Sequence, residues 1–545
     1  MAEIVAALDA WKRRRDGFRW EVPDAFNFGT HVVDRFAAES ARPALLWRDV
    51  DGGERRLSYA DVASASNRFA HLLRSLGVGP GDPVVVMLPK VAEWQIALVG
   101  ALKAGGLVIP SSVILRPKDI EYRVKHSGSV ALITTHEQVA SVDSVRDRLP
   151  SLRHCLSLSG EAKPSEVPGW TDFASALAAQ PDDASAQHET RASDPALVYY
   201  TSGTTGPPKA VLHAHAYTWS QRYTAEYWLG LRPDDRLWTT SDTGWAKAAY
   251  SVIFGPWSVG AEVFMYAGRF EPRRELELLE EVEPQVFCAP PTEYRLLVKD
   301  EKLATLAVPR LRECVSAGEP LNPEVIRAWH ERTGLTIRDG YGQTESILLI
   351  GNFPGNPVRP GSMGLAMPGH DLDVIDDGGQ PLPPGEIGDV ALRGAPPSLF
   401  REYWKDDEAT AHTRRGDWYV TGDRATRDED GYFWFVGRAD DVIISAGYRI
   451  GPFEVESALV EHPDVLEAAA VAAPDPDRGA VVKAFVVLRP GAEGDAKLAK
   501  ALQEHVKRVT APYKYPRQVE FVAELPKTVS GKIRRIELRG QAKPE

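Results

Sequence analysis

The chain has 545 residues, 43% of them apolar and 26% charged, with a formal net charge of −12. That length exceeds one hydrophobic core, so two or more domains are expected. The acidic balance argues against a general nucleic-acid binder. Three dispersed cysteines, Cys155, Cys288 and Cys314, give neither a zinc motif nor a disulfide framework.

The N-terminal stretch MAEIVAALDAWKRRRDGFRW places a short apolar piece before its basic run, the reverse of a secretory signal. Glu3, Asp9 and Asp16 argue against a transit peptide, so a cytoplasmic protein is expected. In ADVASASNRFAHLLRSLG (60–77), Phe69, Leu72, Leu73 and Leu76 recur at helical spacing and Gly77 ends the run. DPVVVMLP (82–89) is a continuous apolar run, as in a strand buried on both faces. WQIALVGALKAGGLVIP (94–110), interrupted by Gln95, Lys103 and two glycines, is too short to span a membrane and reads as a buried helix followed by a strand. Alternating helices and strands imply α/β layers with a largely parallel sheet. The pattern continues with strand candidates ALVYYT (196–201), AEVFMY (261–266), PQVFCAP (284–290) and LTIRDGYG (335–342).

Residues 360–436 are richer in Gly and Pro, with short runs LDVID, DVALRG, WYVTGD and YFWFVG and a hairpin signal at Asp430-Gly431. A small β-barrel-like subdomain is expected there, within an N-terminal domain of layered α/β sheets spanning 1–439. After GRADD the α/β pattern resumes, which places a small C-terminal α+β domain at 440–545.

Between two strand candidates lies the stretch VYYTSGTTGPPKAVLHAH (198–215). Glycines let backbone N–H groups turn toward an anion, hydroxyls donate to phosphate oxygens, and Lys209 adds charge. The P-loop spacing is absent, because Gly203 and Gly206 are too close and Ala210 follows the lysine. His213 and His215 stand two apart with no third ligand nearby in sequence, so they read as structural, or local to a substrate pocket, rather than as a metal pair.

The loop YTSGTTGPPK resembles the signature of the adenylate-forming superfamily, which includes acyl-CoA synthetases, aryl-CoA ligases, luciferases and peptide-synthetase adenylation domains. Further stretches resemble that family's motifs in its order: SAGEPL (316–321), DGYGQTES (339–346), TGD (421–423), GRADDVIISAGYRIGPFEVE (437–456) and LPKTVSGKIRR (525–535). The resemblance covers essentially the whole chain. WTTSDTGWAKAAYSVIFGPW (238–257) and TAPYKYPRQVEFVAELPKTVSGKI (510–533) look most like medium-chain acyl-CoA synthetases.

The resemblance implies an acid–thiol ligase using ATP, Mg2+ and coenzyme A. A carboxylic acid attacks the α-phosphorus of ATP, and the thiol of coenzyme A then takes the acyl group and releases AMP. Thr201, Ser202, Gly203, Thr204, Thr205, Gly206, Pro207, Pro208 and Lys209 would hold phosphates. Gly318, Glu319 and Pro320, with Asp339, Gly340 and Tyr341, would wrap adenine, followed by Gly342, Gln343 and Thr344. Asp423 would accept the ribose hydroxyls and Arg438 would support them. Thr204 and Glu345 would hold Mg2+ and, with Lys532, act in catalysis. Asp440 would be the hinge. Ala446, Gly447 and Tyr448 would line the pantetheine tunnel, and Arg478, Lys507, Tyr515, Pro516 and Arg517 would hold coenzyme A. Trp245, Lys247, Tyr250, Gly342, Ile347 and Arg449 would meet the acid. Acetyl-CoA synthetases carry tryptophan where this chain has Gly342, so room for acids longer than acetate is expected. Lys247 is expected to face solvent or pair with Asp242. The partners are then small molecules, with no nucleic acid, no membrane span, and a homodimer left open. Two other readings are an aryl-CoA ligase or carrier-loading adenylation enzyme, which the tunnel residues disfavour in its carrier form, and a non-catalytic nucleotide sensor, which the presence of Lys532 and Glu345 disfavours.

Overall fold

Ser58 accepts from the backbone N–H of Asp61, whose carboxylate accepts from the backbone N–H of Ser58. This capping box opens the helix Tyr59–Ser75, whose buried face packs on the fully buried helix Ala92–Lys103. Close approach there requires glycine: a Cβ on Gly100 would stand 2.7 Å from the carbonyl oxygen of Ser66. Lys103, with no exposed surface, ends that helix; Asp34 at 2.6 Å offsets its charge, and it also donates to Asn67 Oδ1 at 2.7 Å. The structure, a computed structural model, describes residues 2–39, 41–159, 167–201, 207–445, 448–475, 478–527 and 532–542.

These helices cover an eight-stranded sheet. In it Pro83–Met87 pairs in parallel with Leu107–Pro110 and Ala131–Thr135, and Leu107–Pro110 pairs with Pro195–Thr201. Pro195–Thr201 then runs antiparallel to Lys209–Ala214, with Thr201 opposite Lys209. A nine-stranded sheet holds Pro43–Arg48, Glu262–Tyr266, Arg236–Thr239, Val286–Ala289, Glu313–Ala317 and Ile337–Gln343 as parallel neighbours. The carboxyl ends of such strands are where open α/β sheets take ligands. Here they carry Thr201, Ala317 and Gln343.

The β-rich region forms an antiparallel sheet of Leu372–Ile375, Gly388–Arg393, Arg414–Arg415, Trp418–Arg427 and Phe433–Arg438. Two strands inside its range depart from it. Leu365–Ala366 joins the edge of the nine-stranded sheet. Glu402–Tyr403 pairs instead with Lys209–Ala214 and covers the edge of the eight-stranded sheet.

Beyond residue 440, Ile443–Ser445 pairs with Tyr448–Ile450, and Val465–Asp475, Gly479–Leu488 and Gln518–Phe521 form a three-stranded sheet under the helices Pro452–Val460 and Ala496–Val509. The apolar clusters divide at the same place. Phe435 is the last residue packed into a cluster of the larger body, and the next cluster begins at Ile443. Contacts across the division include Asn322 Nδ2 to Ser457 Oγ at 3.1 Å and Phe435 edge-on to Phe453. Among the described residues, no helix is long and apolar enough to cross a membrane.

Candidate active site

Pairing of Glu402–Tyr403 with Lys209–Ala214 sets a tyrosine beside the signature loop. The ammonium of Lys209 lies 4.6 Å from the centre of the Tyr403 ring, and the Tyr403 hydroxyl donates to Glu345 Oε1 at 2.7 Å. Burial and the neighbouring Glu345 charge raise the Tyr403 phenol well above its ordinary value, so it stays a donor. His213 is buried and its Nε2 stands 2.8 Å from the carbonyl oxygen of Thr344, while its ring stacks on Tyr217. Burial pushes His213 down to about 3 and His215 to about 4, so both are neutral near pH 7. Ser202, Gly203, Thr204, Thr205 and Gly206 lie outside the described residues.

Asp423 sits on the long strand Trp418–Arg427, 4% exposed. Its Oδ2 accepts from the Tyr341 hydroxyl at 2.5 Å and from Gln343 Nε2 at 2.6 Å. Gln343 is itself held by the Tyr419 hydroxyl at 2.9 Å. Arg438 Nη1 lies 3.4 Å from Asp423 Oδ1, and its Nε lies 4.0 Å from Asp440 Oδ1. Burial raises the Asp423 carboxyl, and Arg438, the two hydrogen bonds and the charge of Lys532 pull it back. The C-terminal lysine thus acts electrostatically on this pocket from across the division between the clusters. On the other wall, Glu319 Oε2 accepts from Thr292 at 2.7 Å and Arg295 at 3.2 Å. A Cβ on Gly340 would stand 2.6 Å from the buried Trp228 ring. The Asp339 carboxylate faces inward, accepting from the Gly340 N–H at 2.9 Å.

The acyl-side residues differ from expectation in two places. Lys247 neither faces open solvent nor pairs with Asp242. Its Nζ reaches the carbonyl oxygen of Ala317 at 3.3 Å, while Asp242 accepts from Ser112 and the Gly244 N–H. Gly342 is exposed, but the direction a side chain would leave it is closed. A Cβ there would stand 2.0 Å from the Ile347 carbonyl oxygen. The pairing register shifts between Tyr341 and Gly342, and Ile347 takes φ +59°, unusual for a β-branched residue. Tyr250 is buried, edge-on to Trp228, and Trp245 is half-buried ahead of it.

Two carboxyls have raised pKa values, Glu293 half-buried and Glu275 buried. Glu293 accepts from the Thr240 hydroxyl and burial raises it to about 7. Glu275, 2% exposed, is raised by burial to about 8, with Lys90 pulling down and Glu293 pushing up. Its folded pKa exceeds its unfolded one, so the native state keeps a proton that the unfolded chain releases above about pH 4.3. That stabilisation is full below the unfolded pKa and is lost as pH rises through about 8. Calorimetry is expected to show the melting temperature of wild type, taken relative to Glu275→Gln, falling from pH 5 to 8, because the neutral buried histidines contribute equally to both proteins and only the Glu275 titration differs. An unchanged slope in the variant would contradict the assignment.

A model described as AMP-binding enzyme matches residues 33–404, and one described as AMP-binding enzyme C-terminal domain matches residues 454–532. The chain belongs to the AMP-binding enzyme family. Within that family it is 44% identical to the mitochondrial acyl-coenzyme A synthetase ACSM3 of Mus musculus, over 97% of this chain and 93% of the relative. It is 45% identical to the uncharacterized acyl-CoA ligase YtcI of Bacillus subtilis, over 93% and 94% of the two chains. The crystal structure of the anthranilate CoA ligase AuaEII with anthranoyl-AMP superimposes with a TM-score of 0.88 at 33% identity, covering 96% and 98%.

Of the residues singled out from motifs of this AMP-binding family, Tyr341, Gln343, Asp423 and Arg438 come together, and Glu345 and Lys209 meet through Tyr403. Lys507 and Arg517 flank the Tyr515 ring at 4.2 and 4.9 Å, beside buried Pro516. Arg478 and Arg449 are exposed, while Ala446 and Gly447 lie outside the described residues. Sequence reasoning missed Tyr403 and Tyr419. Neither stands in a motif; only the pairing of Glu402–Tyr403 with the loop strand, and of Trp418–Arg427 with its neighbours, brings them in.

Proposed function

We propose that this chain activates medium-chain fatty or related carboxylic acids, in a pocket at the carboxyl ends of its two large sheets. The chain is an AMP-forming acid–coenzyme A ligase. Acid and ATP give acyl-adenylate and pyrophosphate, and the thiol of coenzyme A then attacks the acyl carbon and releases AMP.

The observation that supports our site assignment most is the buried Asp423, which gathers Tyr341, Gln343 and Arg438 and feels the charge of Lys532. A carboxylate held this way can accept both ribose hydroxyls. Tyr341 and Gln343 fix its direction, and Arg438 screens it from the phosphates. Lys532 offsets charge while the acid carboxylate approaches the α-phosphate. Lys209 supplies a second cation at the loop, steered by the Tyr403 ring. Glu319 and the Asp339–Tyr341 segment form the adenine walls. Asp440 is the hinge in this reading, because the shared apolar packing stops before it and resumes at Ile443.

Glu345 fits Mg2+. It offers hard carboxylate oxygens, and its Oε1 is oriented by Tyr403. Among the described residues no cluster of three metal-ligating side chains occurs. An ion held by one carboxylate and the substrate phosphates suits that, with Thr204 as the other protein ligand in this reading. When bound, the ion neutralises phosphate charge as pyrophosphate departs.

An aryl acid is the second reading, favoured by the likeness to an anthranilate ligase. ATP–pyrophosphate exchange across acetate, straight and branched acids of about four to ten carbons, benzoate and anthranilate separates the two. Each added methylene in an apolar pocket is worth roughly 1–3 kcal/mol, so kcat/KM should climb well above acetate within the aliphatic series. A preference for benzoate or anthranilate would install the second reading, and a preference for acetate would defeat both.

A further inference from the structure

We infer that Tyr513 is a positioning residue for the coenzyme A half-reaction, bracing Tyr448 and with it the outer end of the hairpin Ile443–Ser445/Tyr448–Ile450. The inference rests on the reading above, in which this hairpin serves thioester formation.

The hairpin has three residues in each strand, too few to hold a shape alone. One end is anchored. Ile443 and Ile450 face each other and are 0% and 1% exposed in the core of the C-terminal body. At the other end Ser445 pairs with Tyr448, whose side chain is 53% exposed. The Tyr448 ring lies flat on Tyr513, with centroids 4.4 Å apart and planes 19° from parallel. Tyr513 is 42% exposed, so the pair stands largely in water rather than in a core.

Tyr513 is itself held in place. It is the middle residue of the turn Pro512–Lys514, whose first residue fixes its own φ, and Lys514 ion-pairs with Glu454 on the helix that follows the hairpin. The turn therefore touches the hairpin's outer end through Tyr513 and the element after its base through Lys514. Arg517 and Lys507 are engaged with the Tyr515 ring, a separate group. A ring pair of this kind is worth about threefold to tenfold in an equilibrium. That is enough to keep a short hairpin in one shape while its domain changes orientation, so that Tyr448 reaches the thiol path preformed.

The test compares Tyr513→Ala and Tyr513→Phe with wild type in two assays: ATP–pyrophosphate exchange, and thioester formation from supplied acyl-adenylate with coenzyme A varied. For Tyr513→Ala the KM for coenzyme A should rise about threefold to tenfold while exchange stays within about twofold, which also reports folded enzyme. Tyr513→Phe keeps the ring and should match wild type. An unchanged KM for coenzyme A in Tyr513→Ala, equal loss in both assays, or a Tyr513→Phe that behaves like Tyr513→Ala would each overturn the inference. Lys532→Ala is assayed alongside. If it damages both halves equally, the alternating-orientation reading fails and takes this inference with it. If it separates the halves and Tyr513→Ala does not affect coenzyme A, only the role of Tyr513 fails.

Discussion

Lys532→Ala is expected to slow acyl-adenylate formation by on the order of 10²–10³, while supplied acyl-adenylate still reacts with coenzyme A at near the wild-type rate. The first half-reaction brings a carboxylate to a polyphosphate, and fixed positive charge offsets their repulsion only while that approach lasts. Lys532 follows the last sheet strand on the C-terminal body and acts on Asp423 in the larger body. Its effect depends on orientation, since the two bodies share no apolar cluster among the described residues. Thioester formation needs no such charge at the α-phosphate. Pyrophosphate exchange and thioester formation, measured on one preparation, check the split. Equal loss in both would mean that one arrangement serves both steps.

Asp423→Ala is expected to weaken ATP and AMP together, each by roughly ten- to a hundredfold, because both carry the ribose. The carboxylate is buried and receives two short hydrogen bonds, so its removal also takes an acceptor from the Tyr341 hydroxyl and one of two from the Gln343 amide, which keeps the Thr421 carbonyl. Asp423→Asn keeps the shape and one acceptor oxygen but loses the charge opposite Arg438, and should fall between wild type and alanine. Binding of ATP, AMP and pyrophosphate by calorimetry decides the point. A loss confined to pyrophosphate would move Asp423 away from the ribose.

The signature loop, the TGD stretch and the lysine segment stand out in the sequence because each concentrates its chemistry within a few consecutive residues. The strands were legible as apolar runs: Pro83–Met87, Glu262–Tyr266 and Val286–Ala289 fall inside the stretches marked from sequence. What could not be read is what tertiary pairing decides. Tyr403 meets Glu345 and Lys209 because an isolated two-residue strand leaves its own region to cover a sheet edge. Gly342 was read from sequence for the room it leaves; that a Cβ there would also meet the Ile347 carbonyl, beside a register shift, could not be read. Periodicity carries no record of such a shift. The partner of Lys247 could not be read because its acceptor is a main-chain oxygen, which any residue type at Ala317 would supply. Glu275 lies on an amphipathic helix where an acidic residue normally marks the solvent face, and burial reverses that.

The account stands most directly on what the enzyme makes. Purified protein with ATP, Mg2+, coenzyme A and octanoate should release AMP and pyrophosphate in equal amounts, with one octanoyl thioester for each AMP. Omitting coenzyme A should stop turnover at enzyme-bound adenylate while pyrophosphate exchange continues. Formation of ADP and phosphate, or AMP release at full rate with no thioester across the whole acid panel, would contradict the assignment.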